Sequence, residues 1–303
     1  MKIYKNPKKI DKIHQNSVIA IGNFDGVHLG HQTIFNEGKK IASKTNKKFG
    51  VLSFEPHPKL LFTPSLSPFR ITPEESKIRR IKECDTDFMI IYKFDHDFAK
   101  MPPSYFIENI LKNTIKCEHI IVGNDFHFGH NRGGNIESLK QAGFNVTALE
   151  KISDEEDETY SSTRIREEIR SGNMRAADEI LGWEWEIEGE VIHGDKRGRE
   201  LGYPTANVEL GNNLHPSYGV YGCMVKIEGE DNWRKAAVNI GIRPMFETKT
   251  ALVESYIFDF DQEIYGKTLR IKPIRKIRNE MKFDSLDELV DQIRQDCDLI
   301  RKI

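Results

Sequence analysis

Five short apolar runs punctuate the first 180 residues, at 18–21, 49–54, 88–92, 119–122 and 145–149. Helix-length stretches separate them. In one such stretch Phe106, Ile107, Ile110 and Leu111 fall on a single helical face, and Ser104 can cap it. Alternation of this kind predicts βαβ units, with a parallel sheet and helices on both faces. The acidic run 154–158 reads as a solvated loop. From Ser162 to Leu181 the pattern predicts one or two helices with a break near Gly172.

After Trp183 the rhythm changes. Strand-like segments at 186–193, 220–228, 233–240, 251–258 and 268–274 are separated by turn residues, with no helix-length spacer between them. This predicts an antiparallel sheet or barrel. A last helix is well marked. Ser285 and Glu288 suit a capping box, and Leu286, Leu289, Val290, Ile293, Cys297 and Ile300 form an apolar stripe. That stripe suits packing within the chain better than a dimer seam. The expected division is one domain over 1–183 and a second over 184–303.

Composition narrows the function classes. Lys+Arg of 45 against Asp+Glu of 47 leaves no basic excess of the kind nucleic acid asks for. Residues 1–7 hold no apolar core of signal-peptide length, and no run approaches the roughly 20 apolar residues of a membrane span. Cys84, Cys117, Cys223 and Cys297 lie far apart and read as reduced thiols of a cytoplasmic protein.

The first candidate site follows the first apolar run: Gly22-Asn23-Phe24-Asp25-Gly26-Val27-His28-Leu29-Gly30-His31. A strand, a glycine-rich turn and a helix start make an anion site, because free N–H groups and the positive helix end face the turn. His28 and His31 add N–H donors that can stabilise charge on phosphate oxygens during nucleotidyl transfer. No GxxxxGK[ST] pattern occurs, which excludes a P-loop kinase. Ser161-Ser162-Thr163-Arg164-Ile165-Arg166 places hydroxyls at a helix start before two arginines. The hydroxyls can cap the helix; the arginines can fork onto a leaving pyrophosphate.

The second candidate site is the run from His193 to Asn207, with Gly194, Gly198 and Gly202 at four-residue spacing. It reads either as a glycine-rich turn or as a polyphosphate wrap, with charge from Lys196 and Arg197. Pro204 then fixes the chain before Thr205 and Asn207, whose hard oxygens suit Mg²⁺ beside phosphates.

With these motifs the chain resembles the bacterial bifunctional riboflavin kinase/FAD synthetase family. The resemblance rests on HxGH and SSTRIR, on Phe54-Glu55-Pro56-His57-Pro58, Pro68-Phe69-Arg70-Ile71-Thr72 and the run 123–129. In the second half it rests on Pro204-Thr205-Ala206-Asn207, Val238-Asn239-Ile240-Gly241, Arg243-Pro244 and the run 278–283. It implies a Rossmann-like α/β nucleotidyltransferase domain, followed by a small Greek-key β-barrel with a C-terminal helix.

The resemblance also implies roles. Asn23, His28 and His31 would contact ATP phosphates, and Asp125 would help hold nucleotide or FMN. Ser162, Thr163, Arg164 and Arg166 would close on the triphosphate, and Pro56 and Pro58 would line a flavin pocket. His127 stands where the family more often has arginine. Glu254 would be the general base of the kinase, and Thr205 and Asn207 would hold Mg²⁺–ATP near Gly194, Lys196, Gly198 and Gly202. The implied chemistry is phosphorylation of riboflavin to FMN, then adenylylation of FMN to FAD, with small-molecule substrates and neither nucleic acid nor membrane as partner.

Three other functions compete. They are an enzyme active in one half only, a flavin-binding protein without turnover, and an RNA-directed activity suggested by the HxGH kinship with class I aminoacyl-tRNA synthetases. Both motif sets are intact, which disfavours the first two. No KMSKS-like loop or basic appended domain supports the third.

Overall fold

The computed structural model describes residues 1–63, 65, 68–194, 197–242 and 251–303, with Arg197 through its backbone alone. Asp195, Lys196, Arg243 and Pro244 lie outside the described residues. Internal contacts divide the chain into two units: residues 1–67 with 72–161, and residues 68–71 with 162–303.

The first unit is built on β1 (Lys2–Lys5), β2 (Val18–Ile21), β3 (Phe49–Glu55), β4 (Phe88–Lys93), β5 (His119–Gly123), a small antiparallel pair β6 (His127–Phe128) and β7 (Gly134–Asn135), and β8 (Asn145–Leu149). Six strands form a parallel sheet in the order β1-β4-β3-β2-β5-β8. Alternate residues feed opposite cores. Val18 and Ala20 pack with Phe35, Phe49 and Ile81 on one face; Ile19 and Ile21 pack with Phe88, Leu111 and Ile120 on the other. Burial on both faces is why these strands read as continuous apolar runs.

The edge strand β1 is not predicted by the pattern. It is short, lysines flank it, and only Tyr4 is buried. Ser104 is not a cap: Pro102 precedes the helical turn Pro103–Tyr105, which runs on as a π-helix over Phe106–Ile115.

Strand order fixes where a ligand can sit. From β2 the chain moves outward through β3 to β4, then crosses back to β5 on the other side of β2. The crevice outside the carboxyl ends of β2 and β5 is therefore a topological switch point, the usual ligand position in such sheets.

The second unit carries helices Ser162–Ser171 and Met174–Leu181, broken at Gly172 with φ of 87°. A closed antiparallel barrel follows: β9 (Ile187–Ile192), β10 (Ala206–Glu209), β11 (Gly219–Ile227), β12 (Arg234–Ile242), β13 (Ala251–Ile257) and β14 (Thr268–Arg278). Strand β10 is absent from the sequence prediction because it is four residues long and begins inside the glycine-rich motif. Strand β14 runs past its predicted end at 274. Pro273 sits where the pairing with β11 shifts register, a position that tolerates a missing N–H.

The last helix, Leu286–Arg301, is capped by Ser285, which accepts from Glu288 N at 3.2 Å. Glu288 reaches back to Asp284 N rather than to the cap residue's own N–H. Leu286 is exposed, whereas Cys297 and Ile300 are buried against Val220 and Phe258 on the outer wall of the barrel.

Candidate functional sites

In the first unit β2 delivers the chain into a tight turn with Phe24 and Val27 at positive φ, and His28 then precedes the helix Leu29–Lys44. The two imidazoles stack, with ring centroids 3.6 Å apart, and Phe24 meets His31 edge-on at 5.2 Å. His28 is buried and His31 half-buried. A Cβ on Gly30 would lie 3.1 Å from the His28 ring, so the glycine lets that ring lie over the first helical turn. Gly30→Ala should therefore lower adenylyl transfer about tenfold or more through misplaced imidazoles and leave riboflavin phosphorylation unchanged; separate assays of the two reactions check this.

The turn is braced by residues that the motifs do not single out. Buried Asp25 accepts from Thr72 N at 3.0 Å and from its hydroxyl at 3.2 Å, and that hydroxyl accepts from Gly26 N at 2.8 Å. Lys77, 1% exposed, pairs with Glu55 at 2.5 Å. Its ammonium also donates to Ser53 Oγ at 2.9 Å and to the Asn23 carbonyl at 3.4 Å. In sequence Lys77 sits on an amphipathic helix, Glu74–Glu83, where a lysine is usually solvated, so nothing marks it.

Asp125 follows β5 and is exposed. It pairs with Lys151 at 2.9 Å, and that bond holds its carboxyl below the usual carboxylate range. His127 Nδ1 lies 2.9 Å from the Asp125 carbonyl and 3.4 Å from an Arg132 amino group, so a guanidinium stands beside the histidine.

Pro56 is exposed after a cis Glu55–Pro56 bond, and Pro58 opens the helix Pro58–Phe62. Beside them Phe54, Phe62, Phe94 and Phe98 form an aromatic cluster with centroids 5.6–6.2 Å apart, and Phe62 is 65% exposed. These phenylalanines come from separate elements and share no motif.

In the second unit Ser162, Thr163 and Arg164 open the helix Ser162–Ser171. Arg166 departs from expectation. It is buried, its Nε donates to the Phe69 carbonyl at 3.0 Å, an amino group donates to the Ser162 carbonyl at 3.0 Å, and its plane lies 3.7 Å from the Phe69 ring centroid. Those bonds tie the helix start to the segment 68–71.

The barrel's outer wall bounds a cavity of about 670 Å³. Strand register places Asn207 of β10 opposite Glu254 of β13, and Glu254 opposite Asn239 of β12. All three line the cavity with Thr205, and Asn239 Nδ2 donates to Glu254 Oε2 at 3.3 Å. Glu254 is half-buried, on the opposite side of the strand from Val253 and Ser255. A Cβ on Gly194 would meet the Asn207 amide, with Cγ at 2.8 Å; one on Gly198 would press on the Tyr203 carbonyl, 3.6 Å from Thr205 Oγ1. These glycines thus let the loop backbone close onto the two oxygen donors. Gly202 has φ of 84°. The far wall comes from the C-terminal helix and the chain before it, including Leu289, Ile293 and Phe283.

Two family models match the chain, one in each half. Residues 10–164 match the family model for FAD synthetase, and residues 181–303 match that for riboflavin kinase. A bifunctional riboflavin kinase/FMN adenylyltransferase from Buchnera aphidicola is 39% identical, covering 100% of this chain and 98% of the relative. The chain belongs to this bifunctional family. A member from Haemophilus influenzae is 36% identical over 98% of the chain and 97% of its own length. A crystal structure from Streptococcus pneumoniae, described as a macrolide-efflux protein, covers 100% of both chains with a TM-score of 0.87 at 32% identity. Among the described residues no helix is long and apolar enough to cross a membrane.

Proposed function

We propose that the chain makes FAD in two ATP-dependent steps: phosphorylation of riboflavin to FMN, then adenylylation of FMN with release of pyrophosphate. The observation that carries the reading is the pairing of two phosphate-handling constellations, each matched to its own family model over its own residues. We divide the activities at 183/184.

In the kinase step Glu254 accepts the proton of the riboflavin 5′-hydroxyl as that oxygen bonds to the γ-phosphorus and the bond to ADP breaks. Thr205 and Asn207 present neutral hard oxygens, which fit Mg²⁺ that keeps phosphate and water as its other ligands. When bound, the ion neutralises charge developing on the phosphates. Gly194, Gly198 and Gly202 shape the loop around the phosphates, and Lys196 adds charge there.

In the adenylylation step an FMN phosphate oxygen attacks the α-phosphorus of a second ATP. FMN is itself the nucleophile, so alignment and charge stabilisation suffice. Asn23, His28 and His31 hold the phosphates, Asp125 holds nucleotide or flavin, and Ser162, Thr163 and Arg164 act on the leaving pyrophosphate. Arg166 supports that helix start. Pro56 and Pro58, with the phenylalanines beside them, offer the flavin ring an apolar seat. Both reactions belong in the cytoplasm, where the four thiols stay reduced.

Purified chain given riboflavin, ATP and Mg²⁺ should yield FMN and then FAD, followed by separating the flavins over time. FMN without FAD would remove the adenylyltransferase assignment; bound flavin with no ATP consumed would remove both.

A further inference from the structure

We infer that Asn239 is a positioning residue for the kinase, holding the carboxylate of Glu254 in its accepting orientation; this rests on Glu254 being the base. A glutamate on a strand keeps rotatable bonds that a base at a substrate hydroxyl must not use freely. Register sets Asn239 directly across from Glu254, on the same outer face of the barrel, and its amide donates to Oε2 at 3.3 Å. Both side chains are half-buried and line one cavity. The next strand over sets Asn207 opposite Glu254, so the carboxylate stands in a row of amides spanning three strands.

The chemistry of the neighbour matters. A lysine or arginine at 239 would orient the carboxylate equally well, but would lower its affinity for the proton it must accept. An apolar residue would remove this donor. A neutral amide donor fixes the oxygen and preserves more of its basicity. Among the described residues, the other charged groups lining the cavity are Arg199, exposed Glu280, and Arg278 with Asp296, which pair with each other at 2.8 Å. Cys297 on the C-terminal helix, with Tyr203, Tyr256 and Tyr265, completes the titratable set of the described residues. Substitution at 239 alters none of these residues.

The test uses the full chain with Asn239→Ala, Asn239→Asp and Glu254→Gln, measuring kcat and KM for riboflavin phosphorylation separately. Urea unfolding followed by the fluorescence of Trp183, Trp185 and Trp233, all in the second unit, reports folding of the barrel. Asn239→Ala should lower kcat about tenfold, the effect of losing one hydrogen bond to a charged group, with KM for riboflavin little changed. Asn239→Asp keeps the size of the side chain but loses the amide donor, and should lower kcat at least as far. Should Asn239→Asp unfold at a markedly lower urea concentration, Asn239→Ala carries the same comparison. A kcat of Asn239→Ala within about twofold of the parent, or a loss confined to KM, overturns the inference. If Glu254→Gln is inactive in that case, only the positioning role falls; if Glu254→Gln keeps its rate, the base assignment falls with it.

Discussion

Exchanging Glu254 for glutamine lowers riboflavin phosphorylation by about 10²–10⁴-fold, the usual contribution of a general base, and leaves adenylylation of supplied FMN unchanged. Glutamine keeps the volume and an oxygen that can accept from Asn239, so the cavity wall stands and only the proton acceptor is lost. Three carboxylates line this cavity among the described residues: Glu254, Glu280 and Asp296. Asp296 is committed. Arg278 meets it at 2.8 Å and Gln292 donates to it at 3.0 Å, which locks the end of β14 to the C-terminal helix. Glu280 is exposed, in the stretch that follows β14. Glu254 alone is half-buried on a barrel strand, beside Asn239 and Asn207, where a substrate hydroxyl and a metal-bound phosphate can be brought together. Initial rates with riboflavin, and separately with FMN, decide the matter. A retained kinase rate would pass the base role to Glu280.

Much of this was legible because periodicity and turn chemistry report burial. The runs at 18–21, 49–54, 88–92, 119–122 and 145–149 are all strands of the sheet, and burial on both faces makes the inner ones, such as Val18–Ile21, continuously apolar. The histidine turn was legible because two imidazoles stand where a buried strand ends and a helix begins. What escaped depends on meetings between distant segments. β1 joins the sheet by pairing with β4, and its own four residues carry little apolar signal. Arg166 looks like a phosphate ligand in SSTRIR, and only the fold shows Phe69 beneath it. Glu254 on its own reads as a solvent-facing strand residue; the C-terminal helix, which covers the barrel's outer wall, turns that face into a cavity.

Lys77→Met should destabilise the first unit by about 3–5 kcal/mol, the cost of breaking a buried ion pair by removing one partner, and abolish adenylylation. Lys77 is 1% exposed and the Glu55 side chain 11% exposed, so solvent compensates little for a lost partner. The same ammonium donates to Ser53 Oγ, while Ser53 in turn donates to the Asn23 carbonyl at 3.1 Å. One charge therefore braces the end of β3 and the turn that leads to His28. The double variant Lys77→Met/Glu55→Gln should recover much of the stability, because replacing both members of such a pair with uncharged groups removes the stranded charge. Adenylylation should stay impaired there, since the bonds to the turn are still missing. Urea unfolding of the full chain, followed by loss of each activity separately, reads both effects, with riboflavin phosphorylation as the internal reference. A single variant within about 1 kcal/mol of the parent would mean that Asp25 and Thr72 hold the turn without help from the buried pair.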